Sequence, residues 1–282
     1  MTCRPLIPES DFANTTYASP VMAWRRQVLR ETVAKLMREG VGPYQELARA
    51  NVRRWQAEAH PESPTLAVLQ GDWGEVTSRL TRQYGAIFAV LNMANAYVPG
   101  GGYLEGMVAQ EENMFRRTDC HFYIADSQLD PDGRRYRPDM TDRIEGESGR
   151  VYLDLSQPRV CVRGPEVVGR MEGYEWLPDD EVFPFYELRA AARDYRNGDA
   201  FDAEDARRRI CAQLETLVDA KQRHVVLGAS GCGAFANPAA SIARIYKEEL
   251  AHRAGAFDCV AFAVFSAGYG PGNYPIFSRV FE

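Results

Sequence analysis

Two adjacent acids, Glu111 and Glu112, follow closely after three consecutive glycines at residues 100–102. Glycines let the backbone approach a ligand and leave amide N–H groups free to point into a cavity. The acids fall at the predicted start of a helix, where the N-terminus adds partial positive charge. This spacing indicates carboxylates beside a bound sugar or phosphate. It is equally typical of a tight loop followed by an acidic first helical turn, and both interpretations stay open at this point.

A second glycine-rich stretch, GASGCGAFANP, occupies residues 228–238. Its backbone amides could hold a diphosphate. It also contains the G-x-G-x-x-A pattern of dinucleotide-binding folds, which requires an acid about 20 residues later at the end of the next strand. The nearest acid, Asp258, stands at the beginning of its predicted strand, and the loop falls late in the chain. A Rossmann site for a nicotinamide cofactor is therefore disfavoured.

Neither nucleophilic side chain of this second loop has the surroundings that covalent catalysis needs. Ser230 stands in the order Gly228-x-Ser230-x-Cys232, so the second glycine of a G-x-S-x-G elbow is missing. Cys232 has no histidine near it in the sequence, and we interpret it as a small loop residue.

A further acid, Asp72, directly follows the first predicted strand. At that position its carboxylate could accept a hydrogen bond from an adenine amino group. An N-cap aspartate at the start of the next helix is equally compatible with the spacing.

The composition is that of an ordinary globular protein of 282 residues with 45% hydrophobic side chains. A net charge of −6 argues against nucleic-acid binding, which needs a basic surface. No apolar run reaches the ~18 residues of a membrane span, and the N-terminus lacks the layout of a signal peptide. We therefore expect a cytoplasmic protein that binds neither membrane nor nucleic acid, or one delivered into a host cell if it is a bacterial effector.

The cysteines and histidines are too scattered to predict a metal site. No two cysteines form a C-x-x-C pair and no histidine cluster accompanies them, so neither zinc nor a disulfide framework is expected. We expect no cofactor and a reducing compartment. The residues concerned are Cys3, Cys120, Cys161, Cys211, Cys232, Cys259, His60, His121, His224 and His252.

Strands alternate with helices along most of the chain, which favours a layered α/β domain. Ligands of such folds bind at the carboxyl ends of the strands, and both glycine-rich loops follow predicted strands. The predicted strands are 65–70, 86–93, 151–155, 159–162, 181–186, 224–229 and 257–265. The predicted helices are 21–39, 44–59, 75–84, 110–120, 202–220 and 238–254.

Three segments are predicted to lack regular structure: an irregular arm at 1–20, an exposed polar excursion at 126–149, and an irregular tail at 266–282. We expect residues 1–62 to form an N-terminal arm and helices that pack on a core of residues 63–282.

The order of these motifs resembles that of the macrodomain, a module that binds ADP-ribose. Gly-Asp at 71–72, LNMAN at 91–95 and the late GASGCGAF loop occur in the macrodomain order. More specifically, GGGYLEGMVAQEE at 100–112 is similar to the signature of microbial-type poly(ADP-ribose) glycohydrolases. The resemblance covers residues 65–120 and 223–265. It implies a three-layer α/β/α fold with a mixed sheet and an N-terminal helical extension.

The resemblance also implies roles for individual residues. Glu112 would be the catalytic acid, and Glu111 would bind ribose hydroxyls beside the scissile bond. Asn95 would contact the distal ribose, whereas the glycine loops and Phe235 would hold the diphosphate and that ribose. Phe265 would stack on adenine, with a plain core phenylalanine as an equal alternative. The predicted ligand-binding residues are Asp72, Asn95, Gly100, Gly101, Gly102, Gln110, Ser230, Gly231, Cys232, Gly233, Ala234, Phe235 and Phe265.

The implied activity is hydrolysis of the glycosidic bond at the distal ribose of ADP-ribose, in poly(ADP-ribose) or in mono-ADP-ribosylated protein. A reader domain that only binds ADP-ribose is the alternative, although a reader does not need paired acids.

Two segments, 126–149 and 182–194, depart from the family pattern, and we expect them to shape the leaving-group side of the site. The acids of the first segment could form a lip for an arginine-linked protein target, or could belong to a solvated loop without a role. They are Asp126, Asp130, Asp132, Asp139, Asp142, Glu145 and Glu147.

Overall fold

A computed structural model describes residues 4–60, 65–266 and 272–282 of the chain. Its helices are α1 (Pro20–Glu39), α2 (Val41–Glu58), α3 (Trp73–Tyr84), α4 (Gln110–Arg117), α5 (Pro138–Glu145), α6 (Ala203–Asp219), α7 (Ala239–Ala251) and α8 (Tyr274–Phe281). Its strands are β1 (Thr65–Gln70), β2 (Ala89–Met93), β3 (Tyr152–Leu153), β4 (Arg159–Cys161), β5 (Glu166–Val167), β6 (Glu172–Gly173), β7 (Phe183–Ala190), β8 (His224–Gly228) and β9 (Cys259–Val264).

Most of the strands form one mixed sheet, in the order β1-β9-β8-β2-β7-β3. In this order, the five strands β1, β9, β8, β2 and β7 are each parallel to their neighbours. The strands β3 and β4 each pair antiparallel with β7. The short β5 and β6 form a separate antiparallel hairpin. Because β1, β9, β8, β2 and β7 are parallel, their carboxyl ends lie along the same edge of the sheet.

Alternate residues of the central strands enter two hydrophobic clusters, one on each face of the sheet. In β2, Val90 belongs to the first cluster, and Ala89 and Leu91 belong to the second. Helices α1 to α5 contribute to the first cluster and α6 to α8 to the second. The predicted three-layer α/β/α arrangement is confirmed. The double coverage explains the nearly unbroken apolar runs of β8 and β9, since neither strand has a solvent-facing side.

The N-terminal helices share the core of the sheet. Leu29 and Val33 of α1 and Trp55 of α2 lie in the cluster that also holds Val76 of α3. The expected domain boundary between residues 62 and 63 lies outside the described residues and stays a prediction. No described helix combines the length and the apolar character that spanning a membrane requires.

The segment 126–149 is not the exposed excursion that its composition predicts, because it contains α5. Met140 and Ile144, one helical turn apart, are buried in the first cluster. The Thr141 hydroxyl donates a hydrogen bond of 2.8 Å to the carbonyl oxygen of Ala96. The many charges of the segment hid a short amphipathic pattern, too brief to stand out in the sequence.

The expectation of an irregular tail is also wrong, because residues 274–281 form α8. Phe277 is fully buried, and its ring centroid lies 5.7 Å from that of Phe262 in β9. Tertiary packing on the sheet stabilises this short helix, which would be marginal in isolation.

Replacing Phe277 with alanine should lower the free energy of unfolding by about 3–5 kcal/mol, the usual cost of emptying a buried phenylalanine site. Urea denaturation measures this loss. Arg279→Ala, on the exposed side of the same helix, is the matched control and should change the free energy of unfolding by less than about 0.5 kcal/mol. A loss below about 1 kcal/mol for Phe277→Ala would contradict the packing of α8 on the sheet.

Candidate active site

A cavity of about 650 Å³ opens at the edge of the sheet where the parallel strands end. Segments that follow β1, β2, β7, β8 and β9 line it, together with the first turn of α4. Most of the predicted site residues line this cavity: Asp72, Asn95, Gly102, Gln110, Glu111, Glu112, Gly231, Cys232, Gly233, Ala234, Phe235 and Phe265. The predicted residues that do not line it are Gly100, Gly101 and Ser230.

The glycine-rich loop after β2 holds the two acids of α4. The Glu111 carboxylate accepts N–H groups from Asn95 at 2.7 Å and from Gly100 at 3.1 Å, one on each oxygen. The Glu112 Oε1 accepts the N–H of Gly102 at 3.0 Å. We expected the amides of this loop to face a ligand, but two of the three glycines donate to the carboxylates instead. The loop therefore positions the acids at the cavity.

Gly101 is the point of closest approach between this loop and the acids. Its φ of +57° lies in the left-handed region, which favours glycine. A Cβ at this position would lie 2.5 Å from Glu112 Oε1 and 3.1 Å from Glu111 Oε2. A side chain here would displace the carboxylates, so the middle glycine is required by geometry even though it does not line the cavity.

The two acids differ in their surroundings. Glu111 is only 3% exposed, whereas Glu112 is partly exposed to the cavity. Burial raises the pKa of the Glu111 carboxyl well above its usual range, and the adjacent charge of Glu112 acts in the same direction. The N–H of Asn95 opposes this rise without cancelling it. Two adjacent carboxyl groups in different surroundings, one of them with a raised pKa, are suited to proton transfer.

The side chains of Gln110 and Asn95 hold the first turn of α4 and the turn after β2 in place. Gln110 donates its side-chain amide to the Leu91 carbonyl and accepts the N–H of Met93, both at 2.9 Å. Its amide thereby fastens the first turn of α4 to β2. Asn95 Oδ1 accepts the N–H groups of Tyr97 and Val98, which shapes the turn that precedes the glycines.

The late loop presents free backbone donors to the cavity. In the described part of the chain, the N–H groups of Gly231, Gly233, Ala234 and Phe235 have no hydrogen-bond partner. The Asn237 side chain holds the loop closed by donating to the carbonyl oxygens of residues 193 and 231, at 2.8 and 3.1 Å. Consecutive unpaired amides of this kind form an anion-binding concavity.

The side chains of Ser230 and Cys232 in this loop do not add to the anion-binding concavity. Ser230 is 3% exposed and lines a separate small pocket beside α6 and α7. Cys232 does line the main cavity, but burial raises the pKa of its thiol to about 12. A thiol that is so difficult to ionise is a poor nucleophile.

Asp72 is the N-cap of α3, as one of the two sequence interpretations proposed. Its Oδ1 accepts the N–H groups of Gly74 and Glu75 and forms a buried ion pair with Arg117 of α4. All three of these contacts fall on Oδ1, which leaves Oδ2 available to a ligand. The contact to an adenine amino group stays a prediction.

Phe265 follows β9 directly and is 46% exposed at the edge of the cavity. The alternative that placed it in the core is therefore wrong. An exposed aromatic face at a cavity rim suits stacking on a planar ring.

Sequence reasoning missed a charged wall of the cavity that distant segments build. Arg25 of α1 and Glu166 of β5 form a bidentate ion pair, with only 10% and 5% of their side chains exposed. The two residues lie 141 positions apart, and no local pattern connects them. Arg196, which follows β7, also lines the cavity and lies 5.4 Å from the Phe235 ring centroid.

The predicted acidic lip is absent from this site. None of the residues 126–149, all of them described, lines the cavity. Two of these acids pair with α6 instead: Glu145 with Arg209 at 3.0 Å, and Glu147 with Arg208 at 2.8 Å. Within the described ranges, no group of three or more His, Cys, Asp or Glu side chains could hold a metal ion.

A comparison with known protein families found a match for the segment that carries the two acids. Residues 17–137 match the model of a family described as the microbial-type PARG catalytic domain, where PARG denotes poly(ADP-ribose) glycohydrolase. The match is to this segment, which is less than half of the chain. This PARG segment contains α1 to α4, the three glycines and both acids.

Solved structures of bacterial PARG enzymes are similar to most of the chain, so this similarity extends past residue 137. The enzyme from Thermomonospora curvata matches with a TM-score of 0.63 and 24% identity, covering 91% of this chain and 99% of that one. The enzyme from Deinococcus radiodurans in complex with ADP-ribose matches with a TM-score of 0.54 and 25% identity, covering 84% and 90%. The chain therefore has the macrodomain-like fold of the PARG structures. No curated protein matches the chain.

Asp72→Asn should lower the free energy of unfolding by about 3 kcal/mol, because asparagine keeps the N-cap but leaves the buried Arg117 unpaired. Urea denaturation measures this loss. Asp139→Asn breaks an exposed ion pair with Arg137 and should cost less than about 1 kcal/mol. Equal stabilities of the two variants would contradict the importance of the Asp72–Arg117 pair.

Proposed function

We propose that the chain is an ADP-ribosyl glycohydrolase that cleaves the glycosidic bond at the distal ribose of ADP-ribose. The observation that carries this proposal is the acid pair Glu111–Glu112, fixed by the glycine loop at a cavity that is also lined by residues with unpaired backbone amides. The match of this segment to the microbial PARG family supports the same activity. A reader domain would require the amides but not the paired acids.

ADP-ribose would lie along the edge of the sheet. The diphosphate binds the unpaired amides of Gly231, Gly233, Ala234 and Phe235, since such concavities hold phosphates without a formal charge. Adenine lies towards β1 and β9, between the rim residue Phe265 and the Oδ2 of Asp72. The distal ribose lies at the end of β2, near the side chains of Asn95 and the acid pair.

Glu112 acts as the general acid and then as the general base. Both oxygens of Glu111 are held by backbone N–H groups, whereas Glu112 has one described hydrogen bond and is partly exposed to the cavity. Glu112 is therefore the acid that can reach the leaving atom. Glu111 binds ribose hydroxyls, and its burial and the adjacent charge of Glu112 raise its pKa.

Cleavage passes through an oxocarbenium-like transition state at the anomeric carbon. The bond from that carbon to the leaving oxygen breaks as Glu112 transfers its proton to the oxygen. Glu112 then takes a proton from a water molecule, whose oxygen bonds to the anomeric carbon. The products are free ADP-ribose and the protonated leaving group, and Glu112 is again protonated.

Incubation with poly(ADP-ribose) and chromatography of the products test the proposal, which expects free ADP-ribose to accumulate. Calorimetry with ADP-ribose and AMP tests the binding mode, because AMP lacks the diphosphate and the distal ribose. Binding of ADP-ribose without any turnover would favour the reader alternative, and no binding at all would exclude both.

Glu112→Gln should reduce kcat by about 10²- to 10⁴-fold, because glutamine keeps the shape but has no transferable proton. The affinity for ADP-ribose should change little, and calorimetry on the same preparation measures it. Turnover within a few-fold of the wild type would remove Glu112 from the proposed role.

Gly101→Ala should lower kcat, because its Cβ displaces the Glu112 carboxylate. The protein should stay folded, so the loss of activity should not come from unfolding. Gly133→Ala is the matched control: its φ of +67° imposes similar backbone strain, but nothing lies within 4 Å of the added Cβ. Each substitution should cost about 1 kcal/mol of stability from backbone strain. Equal activity of the two variants would show that the close approach at Gly101 has no catalytic consequence.

The roles given above to individual residues and the cytoplasmic location expected from the sequence stay predictions. The five described cysteines are all free thiols, and the reducing compartment also stays a prediction.

A further inference from the structure

We infer that the N-terminal arm, residues 4–19, holds the acid pair in its working position, and that Arg4 and Arg26 are the positioning residues through which it does so. Neither arginine lines the cavity. They bind carbonyl oxygens of the glycine-rich loop whose N–H groups hold the acids. Most of the arm precedes residue 17, where the match to the family model begins. The consequence for turnover rests on the proposed function.

Arg4 acts on the peptide unit that supplies one of the donors to Glu111. Its Nη1 donates to the Pro99 carbonyl oxygen at 3.1 Å. The N–H of Gly100 belongs to the same peptide unit and donates to Glu111 at 3.1 Å. Because a peptide unit is planar, a group that fixes the direction of its carbonyl also fixes the direction of its N–H. Arg4 therefore keeps a donor aimed at the buried acid.

Arg26 of α1 holds the other end of the same loop. It is 2% exposed, and its Nη1 donates to the Glu105 carbonyl oxygen at 3.1 Å. The N–H of Glu105 donates in turn to the Gly102 carbonyl oxygen at 3.2 Å. Gly102 is the residue whose N–H binds Glu112. Two successive hydrogen bonds thus connect Arg26 to the residue that holds the proposed general acid.

The arm supplies the remaining partners of Arg26. Glu9 accepts the Nε–H at 2.8 Å on one oxygen and an Nη2–H at 3.0 Å on the other. The Tyr17 carbonyl oxygen accepts an Nη1–H at 2.7 Å, and the Phe12 ring centroid lies 4.0 Å from the guanidinium carbon. A guanidinium is costly to bury unless it is paired. The arm therefore allows Arg26 to stay buried against the loop.

The loop also lies directly against the helix that carries Arg26. Gly106 has a φ of +82°, and a Cβ at this position would lie 2.3 Å from the Met22 carbonyl oxygen in the first turn of α1. This close approach leaves no room for a side chain between the loop and the helix. Together with the contacts of the two arginines, it fixes the loop at residues 99, 105 and 106.

A loosened loop should lower the rate more than the affinity. Glu112 has to stand within hydrogen-bond reach of the leaving oxygen, and a misplacement of about 1 Å can cost about 100-fold in rate. The unpaired amides proposed to hold the diphosphate belong to a different loop, the one after β8. The affinity for ADP-ribose should therefore survive the loss of either arginine.

Substitutions in the full chain test these roles. Arg4→Ala should lower kcat for poly(ADP-ribose) about tenfold, the equivalent of one hydrogen bond from a charged group. Arg26→Ala should lower kcat by about 100-fold. The Kd of ADP-ribose, measured by calorimetry, should stay within about threefold of the wild type for both variants. Arg38→Ala breaks an exposed ion pair with Glu39 in the same helix as Arg26, so it is the matched control and should leave kcat unchanged.

Amide hydrogen exchange reads the position of the loop without any reaction. The N–H groups of Gly100 and Gly102 exchange only when they leave the acids, so peptides covering residues 98–107 should exchange about tenfold faster in Arg4→Ala and Arg26→Ala. Peptides from the strands of the sheet should keep the wild-type rate. Guanidinium chloride, far below denaturing concentrations, should restore part of the kcat of Arg26→Ala, whereas sodium chloride at the same ionic strength should not.

A kcat within about twofold of the wild type for both variants would overturn the inference. So would faster exchange spread evenly through the chain, because the two arginines would then serve general stability. A wild type that does not cleave poly(ADP-ribose) reports on the proposed function alone. In that case a selective rise of exchange at residues 98–107 would still establish that the arm positions the acids, and unchanged exchange there would overturn the inference.

Discussion

A single buried carboxylate organises the candidate site. Glu111 uses its two oxygens to bind backbone N–H groups at positions 95 and 100, at 2.7 and 3.1 Å, and thereby joins α4 to both ends of the turn that follows β2. A carboxyl group that is 3% exposed is costly unless it is hydrogen-bonded, so the turn has to keep these two donors aimed at it. The positive φ angles of Gly100 and Gly101 follow from that requirement.

The same helix is held at its other end by buried arginines. Arg117 lies against the Trp73 ring and forms an ion pair with Asp72, and Arg116 donates to the Tyr174 hydroxyl at 3.0 Å and to the Met107 carbonyl at 2.9 Å. Removing one partner of a buried ion pair is costly because the other charge is left in a medium of low polarity. Helix α4 is therefore fixed at both ends, which keeps the acids at its first turn in one place.

Buried charges also specify the register of the sheet beneath the site. Glu187 and Arg189 in β7 are completely buried and pair with each other at 2.8 Å, while Asn92 of β2 donates to Glu187 at 2.8 Å. In the observed register Asn92 lies opposite Arg189. A slip of β2 by one residue would turn Asn92 to the opposite face of the sheet and away from Glu187, so this contact between the strands favours one alignment of β2 and β7.

The sequence by itself determined the alternation of strands and helices, the position of both glycine-rich loops after strands, and the adjacency of the two acids. These features are local: apolar runs, glycines and helix starts act within a few residues, so their patterns can be read along the chain. The tertiary structure decided what the glycine amides bind, where Ser230 lies, and that residues 138–145 and 274–281 form helices that pack on the core. It also placed Arg25, Glu166 and Arg196 on the cavity wall. Each of these outcomes depends on contacts between segments far apart in the chain, and no spacing in the sequence encodes which distant charges will share a wall.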